Sequence, residues 1–493
     1  MKKGVLVIVS VLLLISGTLV ISYVFASGTS SVTISSTGTI IPATIMPTSN
    51  MLSSSMSTTS NTGNYEIFKN GAYICVKNVS SGTIGYQSTN ATEAFGNAFK
   101  SLAQTGGNLT VASGTYYITG SPGRDHGGIH VKNLRDVNVI FQNGAILKIP
   151  DRQNITIFTI LNSSNVALIN WTIDGNALNQ NQSPGYGTNM FGNGISGYNC
   201  DNLQIINCTI TNCRMYGVNY GSDLPNLRPA SVINCTFLYN SWNGICFWAG
   251  EGGIIMGNEV AHSSDVGISV SNTNALIINN YIHDMDGMLG GGGNASWGIA
   301  NECIQIGRLV GLTIINNTIN NCGVGIVLDG IRNTVSGNTI SNVNTGIASA
   351  EIIGFNNITQ NKVSNWGIDY RGIKNFYLSS GIASYVSTND VVAFNHLTTP
   401  SSSSSSGPAI FLYNTTDVTV CNNTIVMQKS SGVPAILLTS GSKNALVVGN
   451  TVESAIGIFI NSFSGVYYNA NVEQNNLVNC LRSIDDKGGV IGK

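Results

Sequence analysis

Residues 312–330 read Leu-Thr-Ile-Ile-Asn-Asn-Thr-Ile-Asn-Asn-Cys-Gly-Val-Gly-Ile-Val-Leu-Asp-Gly: a short alternating run, an Asn step, a polar turn, then a second apolar run opened by Gly. Alternation with period two and no helical spacing predicts short strands separated by turns. The same text recurs down most of the chain. Aligning copies on the residue two before an Ile, Leu, Val or Phe gives Trp171, Cys208, Cys235, Asn258, Asn280, Asn317, Asn338, Asn361, Asn395, Asn423, Asn450 and Asn475. Most spacings lie between 21 and 28 residues, which argues for a solenoid of stacked coils. Nine of the twelve positions are Asn. Stacked identical Asn side chains can hydrogen-bond to each other and to the turn backbone, so these residues are expected to form a structural ladder and carry no chemistry.

A Gly before an apolar residue starts the next strand, usually seven to nine positions after the ladder residue: Gly217, Gly244, Gly267, Gly325, Gly346, Gly432 and Gly457. Three coils delay it, to Gly194, Gly298 and Gly381, and a smaller insertion, the Ser run 401–406, falls at the same turn. The long loops are therefore expected along one edge. The first two stand four coils apart, roughly 19 Å at one strand spacing per coil. Short turns between them would form the floor of a trough suited to several sugar units.

Before the repeat, residues 92–104 have helical spacing, with Ala94, Phe95, Ala98, Phe99 and Leu102 on one face, and Gly106-Gly107 stops the helix. A strand, a Ser-Gly turn and a second strand follow over 109–118, and Trp-Thr-Ile-Asp-Gly-Asn closes at 171–176. This combination resembles the opening of the pectate-lyase-like and polygalacturonase-like superfamily, with Ser113 in place of the usual Pro. The resemblance covers residues 65–484 and implies an all-β, right-handed parallel β-helix of about twelve or more coils, capped at its N-terminal end by a short helix. It is unspecific for activity, because that fold hosts hydrolases, lyases, epimerases and adhesins.

Residues 1–26 hold Lys2 and Lys3 and then an apolar run over 5–25, long enough to span a bilayer, with Val24-Phe25-Ala26 resembling a cleavage site. They are expected to act as a signal peptide or signal-anchor helix. Residues 27–64 are Ser/Thr-rich and read as a disordered stalk. The β-helix domain is expected over 65–493, its cap over 65–120 and regular coils over 121–484. The expected location is extracellular or cell-surface, and sequons such as the one at Asn294 mark candidate glycan sites.

Charged residues make up only 9% of the chain and the formal net charge is −1, so no basic stripe recommends nucleic acid as a partner. The ten cysteines show no CxxC spacing, which leaves a zinc ribbon unsupported; five of them (Cys200, Cys208, Cys213, Cys235, Cys246) either form disulfides in an exported chain or sit as buried thiols.

Against this charge-poor background the trough floor is chemically rich. Arg214 and Tyr216 come from one turn, Trp242 from the next, then His262 and Asp265, then His283, Asp284 and Asp286. His262 and Asp284 share one offset from their ladder residues, so they are expected side by side on adjacent coils. Asp284, Asp286, Asp265, His262 and His283 are the catalytic candidates, since an Asp beside a His holds its tautomer and paired carboxylates divide acid and base roles. The same carboxylates can equally bind Ca²⁺. Arg214, Tyr216 and Trp242 are candidate substrate contacts, the two rings as stacking surfaces for sugars. Glu302, Arg308 and residues 369–374 are lesser candidates. Arg371-Gly372-Ile373-Lys374 is similar to the Arg-x-Lys of polygalacturonases, but their Asn-Thr-Asp, Asp-Asp and Gly-His-Gly motifs are missing, so that mechanism is unsupported. His283-Asp-Met-Asp286 loosely resembles the Asp-Pro-His-Asp of mannuronan epimerases in a different order.

The expected function is binding and cleavage, by hydrolysis or elimination, of an acidic or neutral polysaccharide by a membrane-tethered protein. The alternatives are a non-catalytic adhesin or envelope protein that binds glycans, and a trimeric receptor-binding β-helix.

Overall fold

The computed structural model describes residues 12–13, 18–25, 28–35, 63–120, 127–180, 192–224, 226–271, 273–286, 297–301, 311–349, 354–368, 379–399, 407–427, 432–439, 441–461, 469–480, 482–487 and 490–492. They fall into two compact units, Met1–Thr62 and Gly63–Lys493.

In the first unit Leu12–Leu13, Thr18–Phe25 and Gly28–Ser35 form a three-stranded antiparallel sheet. Thr18–Phe25, inside the run expected to act as a signal peptide or signal-anchor helix, is strand there. Thr18–Phe25 is dense in β-branched and aromatic residues, which favour extended backbone, whereas only a lipid environment makes the helix obligatory. No helix among the described residues is long and apolar enough to cross a membrane. Most of the expected stalk lies outside the described residues.

The second unit opens with an antiparallel meander, Gly63–Asn70, Tyr73–Asn78 and Ile84–Ser88, which the repeat pattern does not announce. Gly63–Asn70 then pairs in parallel with Gly107–Val111 and so starts the stack. Between them runs the helix Ala91–Thr105, capped by the Asn90 side chain on the Thr92 N–H. Ala94, Phe95, Ala98, Phe99 and Leu102 are all buried. Phe95 meets Tyr116 edge-on at 5.6 Å and Phe99 meets Phe158 at 5.5 Å, so the apolar face of the helix rests on the aromatics of the first coils.

From there the chain is a parallel β-helix with three strands per coil. In one coil these are Ile254–Met256, Glu259–Ala261 and Val266–Val270. The next coil repeats them as Leu276–Ile278, Tyr281–His283 and Trp297–Asn301, residue on residue. Each register stacks like on like: Ile255 on Ile277 on Ile314, Val260 on Ile282 on Ile319, Ile268 on Ile299 on Ile326. All nine are buried and fill the interior as aliphatic ladders.

The Asn ladder forms as the spacing predicts. Asn317 Oδ1 accepts both the backbone N–H and the side-chain amide of Asn280, each at 2.9 Å, while Asn317 Nδ2 donates to Ile277 O at 3.0 Å and to Asn338 Oδ1 at 3.0 Å. The pattern repeats through Asn361, Asn395, Asn423 and Asn450 to Asn475. Towards the N-terminus Cys235 and Cys208 take the same place, with the Cys208 N–H on Cys235 Sγ at 3.3 Å and the Cys235 N–H on Asn258 Oδ1 at 2.8 Å. Every cysteine among the described residues is a free thiol, and Cys200, Cys208, Cys213, Cys235 and Cys246 are buried.

The expected long loops, with the Gly run 290–293, Glu302, Arg308, residues 369–374 and the Ser run 401–406, lie outside the described residues.

Candidate functional site

In seven successive coils the residue after the third position of the middle strand has left-handed backbone. Its register runs Asn212, Tyr239, His262, Asp284, Asn321, Asn342, Asn365, following the paired positions Thr211, Leu238, Ala261, His283, Asn320, Ser341 and Ser364. All seven have φ between 49° and 58°. Asn suits this conformation, since its short polar side chain tolerates positive φ. Tyr239, His262 and Asp284 are thus three consecutive departures from an Asn column, and around them the charged groups gather.

His262 and Asp284 are adjacent along the axis, as their shared offset predicts: the His262 N–H donates to Asp284 O at 3.1 Å. Their side chains nevertheless choose other partners. Asp284 Oδ2 bonds His283 Nδ1 at 2.8 Å, and its Oδ1 accepts the Asn321 amide at 2.7 Å. The carboxylate facing His262 Nδ1, at 2.7 Å, belongs to Asp286. The cause is a tight turn about Met285, closed by the Asp286 N–H on Asp284 O at 2.7 Å, which curls the chain back over the preceding coil. Two His–carboxylate pairs result, His262–Asp286 and His283–Asp284, with the imidazoles 6.5 Å apart and nearly perpendicular. His283 and Asn321 hold the Asp284 carboxyl below the usual carboxylate range by hydrogen bonding, against the opposing effect of partial burial.

Three residues complete the group. Tyr239 lies parallel to the His262 ring at 4.4 Å, and Tyr281 is stacked on His283 at 4.1 Å. Glu259 Oε1 stands 3.4 Å from His283 Nε2. Sequence reading passed over all three, although Tyr239 has the same offset from Cys235 that His262 has from Asn258. Tyr281 and Glu259 occupy one outward column of the middle sheet, elsewhere Thr209, Thr236 and Thr318, so their departure from Thr was the signal available.

The remaining candidates fall elsewhere. Tyr216 and Trp242 were expected as open stacking surfaces, and the structure corrects this: they are 7% and 3% exposed. They meet edge-to-face at 5.8 Å in a small apolar cluster with Met215 and Cys246. Asp265 is buried, with its N–H on Trp242 O at 3.2 Å. Arg214 is half-buried, and burial draws its pKa down. The accessible ring is Tyr281, 43% exposed. For Ca²⁺, no group of three or more His, Cys, Asp or Glu among the described residues is placed to hold a metal ion.

What this arrangement can do is acid–base chemistry. Asp286 holds Nδ1 of His262 and leaves Nε2 as the nitrogen for proton transfer, while the carboxylates of Asp284 and Glu259 flank the second imidazole.

Comparison with known proteins agrees with the architecture. Residues 226–303, which contain the candidate site, match the family model described as a right-handed β-helix region. No curated protein matches the chain. Among solved structures, the A-module of the Azotobacter vinelandii mannuronan C-5 epimerase AlgE4 is similar at 15% identity and TM-score 0.44, over 82% of this chain and 96% of that one. The Streptococcus pneumoniae surface protein and adhesin PfbA is similar at 15% and 0.40, over 82% and 96%. The tailspike of E. coli bacteriophage HK620, solved with a pentasaccharide, is similar at 13% and 0.49, over 83% and 78%.

Proposed function

We propose that this protein binds a polysaccharide across the outer face of the coils from Thr236 to Asn321 and cleaves it by acid–base chemistry. The observation that carries the reading is the double pairing, His262–Asp286 at 2.7 Å and His283–Asp284 at 2.8 Å, on adjacent coils of a rigid scaffold. His262 Nε2 and the Glu259 carboxylate are the proton-transfer groups. Asp286 and Asp284 are positioning residues that set the two imidazoles. Tyr281 offers a partly open ring beside them for a sugar face. The apolar run over 5–25 and the Ser/Thr-rich stretch after it support an exported, membrane-tethered protein that works outside the cell.

Incubation with a panel of polysaccharides, followed by analysis of the products, tests the reading. New reducing ends identify a hydrolase and unsaturated ends a lyase. Binding without products would overturn the catalytic part and leave a glycan-binding surface protein.

A further inference from the structure

We infer that Tyr239 is a positioning residue: its ring fixes the plane of the His262 imidazole and so sets the direction of Nε2. This rests on the reading above, in which His262 Nε2 transfers the proton, and adds a residue to that site. The two rings are 4.4 Å apart and 2° from parallel. At its edge the same imidazole meets Asp286 Oδ2 through Nδ1, at 2.7 Å. A single hydrogen bond leaves a ring free to swing about the line from nitrogen to oxygen. A second ring laid on its face removes that rotation, and the pair also gains from stacking. Edge and face together therefore hold Nε2 in one direction.

The backbone supports a role beyond packing. Tyr239 stands at φ 58°, in the left-handed column that Asn212, Asn321, Asn342 and Asn365 also occupy. Asn, Asp and His tolerate that region, whereas a bulky side chain is strained in it. The turn alone is best served by Asn. Stacking on the imidazole of the next coil requires an aromatic ring, and Tyr239 meets that need while bearing the strain. Tyr281 differs on both counts. It lies in the strand Tyr281–His283 and is 43% exposed, open to a sugar, whereas Tyr239 is half-buried with its ring on His262.

Tyr239→Asn removes the ring and installs the residue that suits the turn. Tyr239→Phe keeps the ring and removes the hydroxyl. The full-chain proteins are compared by kcat and KM on the polysaccharide the wild type turns over, by thermal melts, and by NMR relaxation of the His262 Cε1–H bond. We expect Tyr239→Asn to lower kcat about 10- to 100-fold, as for a misaimed group, with KM within about twofold of wild type. Its melting temperature should fall by no more than about 2 °C. The order parameter of the His262 bond should drop in Tyr239→Asn and hold in Tyr239→Phe, whose kcat should stay within about threefold of wild type. Four outcomes each overturn the inference and leave the acid–base reading standing: undiminished kcat in Tyr239→Asn, an unchanged order parameter there, an equal loss in Tyr239→Phe, or a melting drop beyond about 5 °C, which would make the ring a structural element. Wild type that turns over no polysaccharide overturns the reading above instead, and the order parameters still decide whether Tyr239 holds the imidazole.

Discussion

Replacing Asp284 by Asn separates chemistry from folding. The amide keeps the shape of the side chain, and its oxygen can still accept the Asn321 amide now held at 2.7 Å. It also suits the backbone, because Asn already occupies the same left-handed position in Asn212, Asn321, Asn342 and Asn365. What disappears is the charge facing His283. That pair is partly exposed (40% on the Asp284 side), so its contribution to stability is about 0.2–1 kcal/mol. The melting temperature should therefore move by less than about 2 °C in a unit of this size. Activity should fall by about 10²–10⁴, the range for a misplaced acid–base group. The assay is product release, by reducing ends or unsaturated ends, on the polysaccharide the wild type turns over, beside a thermal melt of both proteins. The sign with pH follows from the lowered pKa: the wild-type advantage is present above the unfolded value of about 3.9 and is lost as pH falls through the lower folded value. Activity within tenfold of wild type at an unchanged melting temperature would refute the role. A melting drop beyond about 5 °C would instead make the carboxylate a structural element.

Two further changes probe the scaffold. Asn317→Ala should strand the Asn280 N–H and one amide hydrogen of Asn280 in a buried site, at about 1–3 kcal/mol each, and the urea midpoint should fall with the slope unchanged. Asp390 is a fully buried carboxylate that accepts the Ser349, Ser384 and Ser387 hydroxyls and the Asn356 N–H; burial raises its pKa despite these bonds. The native state then holds the proton more tightly than the unfolded chain, so this group favours folding increasingly as pH falls from above its native pKa towards the unfolded value of about 3.9. Melts of Asp390→Asn against pH should lack that trend, and a difference from wild type that does not vary with pH would contradict the assignment.

The ladder was legible in the sequence because it repeats: a side chain at position 280 that bonds its copy at 317 leaves the same mark on every coil. The neighbourhood of His262 and Asp284 was legible in the same way, through their shared offset from Asn258 and Asn280. Tyr239, Tyr281 and Glu259 were equally visible as departures once the columns were drawn. Which carboxylate meets which imidazole was not. Exchange of Asp284 for Asp286 as the partner of His262 depends on the tight turn about Met285, a feature no period encodes. Nor does the local pattern say that Tyr216 and Trp242 are covered, since burial depends on groups brought in from other coils.

Sequence alone thus determined the translational part of this protein, its coils, strand registers and ladders, because stacking repeats one local interaction at one spacing. Tertiary structure alone decided the pairing of the two imidazoles with their carboxylates and the exposure of Tyr281 in place of Trp242. Those depend on turn dihedrals and on packing between coils, and neither is repeated along the chain.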